Sequence, residues 1–192
     1  MTDKITLIKD AIEKAEQFQS KLTDEVRDVP FLGSLKIRAL MNNLGELATR
    51  YMEIGCHKGG SYCSAVFKNE NLKSTTVIDS FESDHMNGET AKKEFLINSA
   101  RFTPVVTKIN VIQKDCFAVD LSEVQSPIDL YLYDAGHSFD DQRIALTYYK
   151  PVLAETFIYC CDDWTYERVK EGTLAGIKEG GYEVLFEKEL LN

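Results

Sequence analysis

The stretch RYMEIGCHKGGS, residues 50–61, decides the fold. Arg50 to Ile54 is a short β-rich run; Gly55, Gly59 and Gly60 then make a glycine-rich turn, and Ser61 opens a helical run. Glycine tolerates positive φ and lets a backbone approach a ligand closely, and the first N–H groups of a helix have no partner within it. The spacing matches neither the dinucleotide pattern G-x-G-x-x-G nor the phosphate loop G-x-x-x-x-G-K-[ST]. By itself this turn is equally compatible with a tight connection and with a ligand loop.

The rhythm of that unit repeats towards the C-terminus. Strands are predicted at 50–54, 74–79, 109–113, 129–134 and 156–161, with helices at 60–70, 88–100, 139–149 and 165–179 between and after them. Alternation of this kind predicts an α/β domain with a doubly wound, mostly parallel sheet, whose ligands lie beyond the carboxyl ends of the strands. The run GYEVLFEKEL, residues 181–190, reads as a sixth strand. Towards the N-terminus, Ile5, Ile8, Ile12, Ala15 and Leu22 form one helical stripe over residues 4–23, and Leu35, Ile37, Leu40 and Leu44 another over 34–47. Residues 1–48 are thus a helical extension to an α/β domain at 49–192, the two forming a single structural unit.

Lys and Arg number 22 against 31 Asp and Glu, a net charge of −9, so nucleic acid is a poor partner. The charged N-terminus has no continuous apolar core, which argues against a signal peptide or membrane span and for a cytoplasmic protein. The five cysteines show no C-x-x-C pair and read as reduced thiols rather than a disulfide framework or a zinc site.

Acids recur at the predicted strand ends: Asp79 in VIDSFES, Asp115 in QKDCF, Asp134 in LYDAGH, and Asp162 and Asp163 in CCDDW. An acid ending the second strand can accept from ribose hydroxyls. Neighbouring parallel strands lie about 4.8 Å apart, so Asp134 could meet Asp162 or Asp163 and offer hard oxygen ligands to Mg²⁺ or Ca²⁺. His137 is placed to take a proton near neutral pH. Each of these residues also has a plainer reading: Asp is a common turn and capping residue, and Asp140 and Asp141 fit the first turn of a helix. Tyr131, Tyr133, Tyr148 and Tyr149 read as core, Trp164 as a substrate-facing aromatic, and His57 and His85 receive no role.

Taken together, EIGCHKGGS, VIDSFES, KDCF and YDAGHSF resemble successive motifs of the class I S-adenosylmethionine-dependent methyltransferases, over roughly residues 50–164. Within them the pattern is most similar to metal-dependent small-molecule O-methyltransferases of the macrocin and catechol type. The resemblance implies that Gly55, Gly59, Gly60 and Ser61 line the methionine portion of the cofactor, with Glu53 near its ammonium and Cys56 contributing backbone contacts. It implies that Asp79, with Ser80 and Phe81, holds the ribose, and that Asp115, Cys116 and Phe117 surround the adenine. Asp134, Asp162 and Asp163 would bind a divalent cation, Mg²⁺ or another, with Asp134 also facing the cofactor; His137 and Asp134 would be catalytic. The acceptor would be a small-molecule hydroxyl, a sugar or polysaccharide precursor being one class, and the acceptor pocket would draw on the helical extension and on residues 82–90. The alternative is a non-catalytic S-adenosylmethionine-binding module or regulatory partner subunit. The pattern also implies a final antiparallel strand after GYEVLFEKEL, where only Leu191 and Asn192 follow; the expectation is that this strand is missing, truncated or replaced by a dimer partner, with an exposed edge for a homodimer to cover.

Overall fold

The computed structural model describes residues 2–82 and 88–190. Its helices are α1 (Thr2–Glu16), α2 (Asp24–Arg27), α3 (Leu35–Gly45), α4 (Gly60–Val66), α5 (Gly88–Phe102), α6 (Phe139–Tyr148) and α7 (Glu167–Gly180). The strands are β1 (Arg50–Ile54), β2 (Ser74–Ile78), β3 (Lys108–Ile112), β4 (Ile128–Tyr133) and β5 (Leu153–Cys161). All strand pairs are parallel, in the order β3-β2-β1-β4-β5. The chain winds outward from β1 through β2 to β3, then returns to the other side of β1. That reversal opens a crevice at the carboxyl ends of β1 and β4, where Ile54 lies opposite Tyr133.

Period-two alternation sorts the strand residues between two cores. Tyr51, Val77, Leu130 and Leu132 pack with residues of α1, α3, α4 and α5, while Met52, Ile54, Ile78, Tyr131 and Tyr133 pack with Ala145 of α6 and with Tyr149. β2 is buried along its whole length, as expected of a strand covered on both faces. α7 lies on α6 through Gly172 and Gly176: a Cβ at Gly172 would stand 2.4 Å from the Phe139 carbonyl, and one at Gly176 2.7 Å from that of Arg143. α6 begins with a capping box, in which Ser138 and Asp141 each bond the other's backbone N–H.

Two expectations need correction. The helix expected over 4–23 stops at Glu16, because Phe18 takes a left-handed backbone conformation (φ 58°). The chain beyond it is held by amides from α3: Asn43 donates to the carbonyl of Gln19, and Asn42 accepts from the N–H of Lys21. Those asparagines also bind the extension to its neighbours, since Asn42 donates to the carbonyls of Ser64 and Phe67, and Asn69 donates back to that of Asn42. Secondly, the run predicted as a sixth strand pairs with nothing through residue 190. After Gly181 it leaves α7 along other surfaces, with Tyr182 against Phe157 and Lys9 over the ring of Phe186. None of the described helices is long and apolar enough to cross a membrane.

Candidate active site

The glycine-rich turn is shaped by three positive φ angles, 84° at Gly55, 48° at His57 and 88° at Gly59. A Cβ at Gly55 would fall 1.8 Å from the carbonyl oxygen of Asp134, so the ends of β1 and β4 meet at a contact only glycine permits. α5 holds the turn from outside: Asn98 donates to the carbonyl of Lys58, Glu94 pairs with the Lys58 ammonium at 3.2 Å, and Phe95 covers Gly59.

Asp79 closes the turn from β2. Its Oδ2 accepts from the N–H groups of Cys56 and His57, both at 3.0 Å, and its Oδ1 accepts from Phe81 N–H at 2.8 Å. Oδ2 also faces the Cys56 thiol at 3.6 Å, whereas Oδ1 has Phe81 N–H as its one donor among the described residues, which leaves it room for another. Of the two readings the sequence allows for Asp79, ligand residue or turn residue, the structure shows the second: it is the staple of the turn. Phe81 is buried against Phe95, and the half-buried Ser80 bonds Glu82 N–H through its hydroxyl.

Glu53 is fully buried and accepts from the hydroxyls of Tyr51, at 2.5 Å, and Ser61. Burial pushes its carboxyl up to about 7, against the pull of those two bonds. Tyr51 is a partner that sequence reasoning missed, although a spacing of two along a strand puts it on the same face as Glu53.

The adenine-side expectation falls on a short turn after β3. Asp115 caps it, accepting Phe117 N–H at 2.8 Å, and is exposed. Cys116 and Phe117 are half-buried; Tyr149 donates to the Cys116 carbonyl, and the Phe117 ring meets Tyr148 edge-on at 6.0 Å.

The strand ends of β4 and β5 bring together Asp134, His137 and Asp163, whose ligand atoms all lie within 4.8 Å of one another. His137 Nε2 stands 2.8 Å from Asp163 Oδ2. Burial, together with the nearby charges of Asp162, Glu53, Asp163 and Asp79, pushes the Asp134 carboxyl up to about 8. Asp163 enters the cluster because its φ of 55° turns the chain sharply, whereas Asp162 turns its carboxylate back to accept Asp163 N–H at 2.8 Å. Asp162 therefore stands beside the cluster as a neighbouring charge. Two carboxylates and an imidazole are a donor set that suits Mn²⁺, Fe²⁺ or Zn²⁺ as well as Mg²⁺. Asp140 and Asp141 belong to the start of α6, Asp140 pairing with Arg143 at 3.1 Å. Trp164 is half-buried beside the cluster's loop, and His85 lies outside the described residues.

Comparison with known proteins bears on the family and the fold. A family model described as Methyltransferase domain matches residues 52–164, more than half of the chain. A Staphylococcus aureus protein named as a caffeoyl-CoA O-methyltransferase shares the fold with a TM-score of 0.62 at 18% identity, over 95% of this chain and 92% of that one. The O-methyltransferase TomG of Streptomyces achromogenes, solved in complex with S-adenosylmethionine, gives 0.52 at 17% identity, over 90% and 78%. No curated protein matches the sequence.

Proposed function

The chain belongs to the methyltransferase domain family, and from that premise we propose that it transfers a methyl group from S-adenosylmethionine to a hydroxyl of a small molecule, with help from a divalent cation. The observation that carries the reading is the meeting, at one crevice, of the glycine turn and the Asp134, His137 and Asp163 cluster, joined where Gly55 touches the Asp134 carbonyl. TomG, which shares the fold, was solved with S-adenosylmethionine. Gly55, Gly59, Gly60 and Ser61 would face the methionine portion, Asp79 the ribose and Asp115 the adenine. Asp134 and Asp163 would hold the cation, with Asp162 adding charge nearby.

When bound, the sulfonium supplies an activated methyl and the cation supplies Lewis acidity towards the acceptor hydroxyl. The chain's own task is to align that oxygen and remove its proton. His137 has Nε2 on Asp163, which leaves Nδ1 to accept the proton while Asp163 fixes the ring. Calorimetry with S-adenosylhomocysteine tests the cofactor reading, and no binding would end it. Binding without methyl transfer to any hydroxyl in an acceptor panel would favour the non-catalytic module.

The Glu53 carboxyl gives this reading a pH signature. In the ligand-free protein it titrates near 7, so below that pH it is mostly protonated and uncharged. The ligand's ammonium favours the ionised form and releases the proton. S-Adenosylhomocysteine affinity is therefore expected to rise with pH up to about 7, by at most about tenfold per unit, and then level off. Glu53→Gln should flatten that slope; an unchanged slope in the variant would assign the effect elsewhere. For folding the sign is opposite. The native chain keeps a proton that the unfolded chain releases near 4.5, so this group's contribution to stability falls as pH rises from there to about 7.

The reading extends to a homodimer. β5 is nine residues long and, among the described residues, pairs with β4 alone, which leaves its other edge without a strand there. Light scattering is expected to give twice the chain mass, and a strict monomer at micromolar concentration would reject it.

A further inference from the structure

A cation at the mouth of the crevice has no part in the reaction described so far. Arg168, in the first turn of α7, donates from Nε to the carbonyl of His137 at 2.9 Å. Its guanidinium lies over the ring of Tyr166, 5.4 Å from the centroid, and that ring is 6.3 Å from the ring of His137. Tyr166 and Arg168 are both exposed.

Three features of this arginine need a cause. It sits at the start of a helix, where the macrodipole disfavours positive charge. It forms no ion pair with any described carboxylate, whereas Arg143 on the neighbouring helix is held between Asp140 and Glu179. Its orientation is nevertheless set, by the Nε bond on one side and the tyrosine ring on the other, so its two terminal nitrogens make no hydrogen bond with the described residues. A guanidinium fixed in this way presents a planar pair of donors that matches a carboxylate or phosphate.

The local charge indicates which molecule would need such a group. Asp162 and Asp163 stand at the same corner, and an anion approaching His137 meets whatever part of their charge a bound cation leaves uncompensated. A neutral hydroxyl compound gains little from an unpaired cation at the rim. One that carries both a hydroxyl and an anion gains a fixed counter-charge, because Arg168 is bonded to the backbone of the very residue whose ring would take the proton.

We propose that Arg168, seated on Tyr166, binds a carboxylate or phosphate group of the acceptor while the acceptor's hydroxyl faces His137. The assignment rests on the methyl-transfer reading and names the substrate class within it: a small hydroxyl compound with an anionic group.

The test is calorimetry on the full chain saturated with S-adenosylhomocysteine, with probes in two matched pairs. 3,4-Dihydroxybenzoate against catechol reports a carboxylate, and glucose 1-phosphate against glucose reports a phosphate. At least one anionic probe is expected to bind roughly tenfold or more tightly than its neutral counterpart. Arg168→Met should abolish that preference and Arg168→Lys should retain part of it. Both variants should keep S-adenosylhomocysteine affinity within about twofold, since an exposed charge at the rim adds little to the binding of a cofactor it does not touch. The pair that shows the preference identifies the anion. The assignment is overturned by equal binding within both pairs, by no binding of either anionic probe, or by a preference that survives in Arg168→Met. Failure of the unaltered protein to bind S-adenosylhomocysteine would overturn the methyl-transfer reading and this assignment together; cofactor binding without anion preference overturns this assignment alone.

Discussion

Gly55→Ala is expected to lower folding stability by about 3 kcal/mol and to weaken S-adenosylhomocysteine binding by roughly a hundredfold or more. Two effects combine there. The residue holds φ at 84°, which an alanine tolerates poorly, and its new Cβ would stand 1.8 Å from the Asp134 carbonyl oxygen. Relief requires the ends of β1 and β4 to separate, against the 2.9 Å bond from Asp134 N–H to the Ile54 carbonyl. That movement also pulls Cys56 and His57 away from Asp79, so the turn loses its staple. Gly181→Ala separates strain from collision: its φ is 65°, but a Cβ there meets nothing within 4 Å. It is expected to cost only about 1 kcal/mol and to leave binding unchanged. Urea denaturation and calorimetry on both variants make the comparison. Equal losses in the two would show that the close approach at Gly55 contributes nothing.

The doubly wound, parallel character of the sheet was legible because each parallel strand needs a crossover, and the resulting alternation of β-rich runs and helical runs leaves few topologies. The strand-end acids were legible for the same reason, since a strand delivers its last residue to a known edge of the sheet. What the sequence concealed was set by contacts distant along the chain. Nothing local to Phe18 announces that asparagines of α3 will catch the chain and end α1 early. Nothing in CCDDW distinguishes Asp162 from Asp163, because the choice depends on a left-handed turn at Asp163 that puts its carboxylate on His137. The sequence leaves Asp79 either a ligand residue or a turn residue, and that its partners are two N–H groups of the glycine turn emerges only once β1 and β2 are adjacent. Arg168 had a faint signal, a basic residue where a helix begins, but its partners Tyr166 and the His137 carbonyl come together only once β4 and β5 are adjacent.

His137→Ala carries the largest expected effect on chemistry, a fall of about 10² to 10⁴ in the rate of methyl transfer. The cluster allows two uses of the imidazole, and they predict different companions to that loss. As the proton acceptor, His137 uses Asp163 to orient its ring, so the alanine variant keeps both carboxylates and should bind Mn²⁺ within about threefold of the unaltered protein. As a cation ligand, its removal would weaken Mn²⁺ binding by about tenfold or more, an effect of the size seen when partners around a metal are lost. Asp134→Asn with Asp163→Asn should remove Mn²⁺ binding on either view, because it strips the cluster of its carboxylates. The geometry favours the first use: His137 is already engaged through Nε2 at 2.8 Å from Asp163, leaving one nitrogen for the acceptor, and Arg168 fixes its backbone from behind. A Mn²⁺ titration followed by electron paramagnetic resonance, run on the alanine variant beside the double asparagine variant, separates the two. Parallel loss of the metal in both would reassign His137 from proton acceptor to ligand, and the proton would then have to leave through a group outside the cluster.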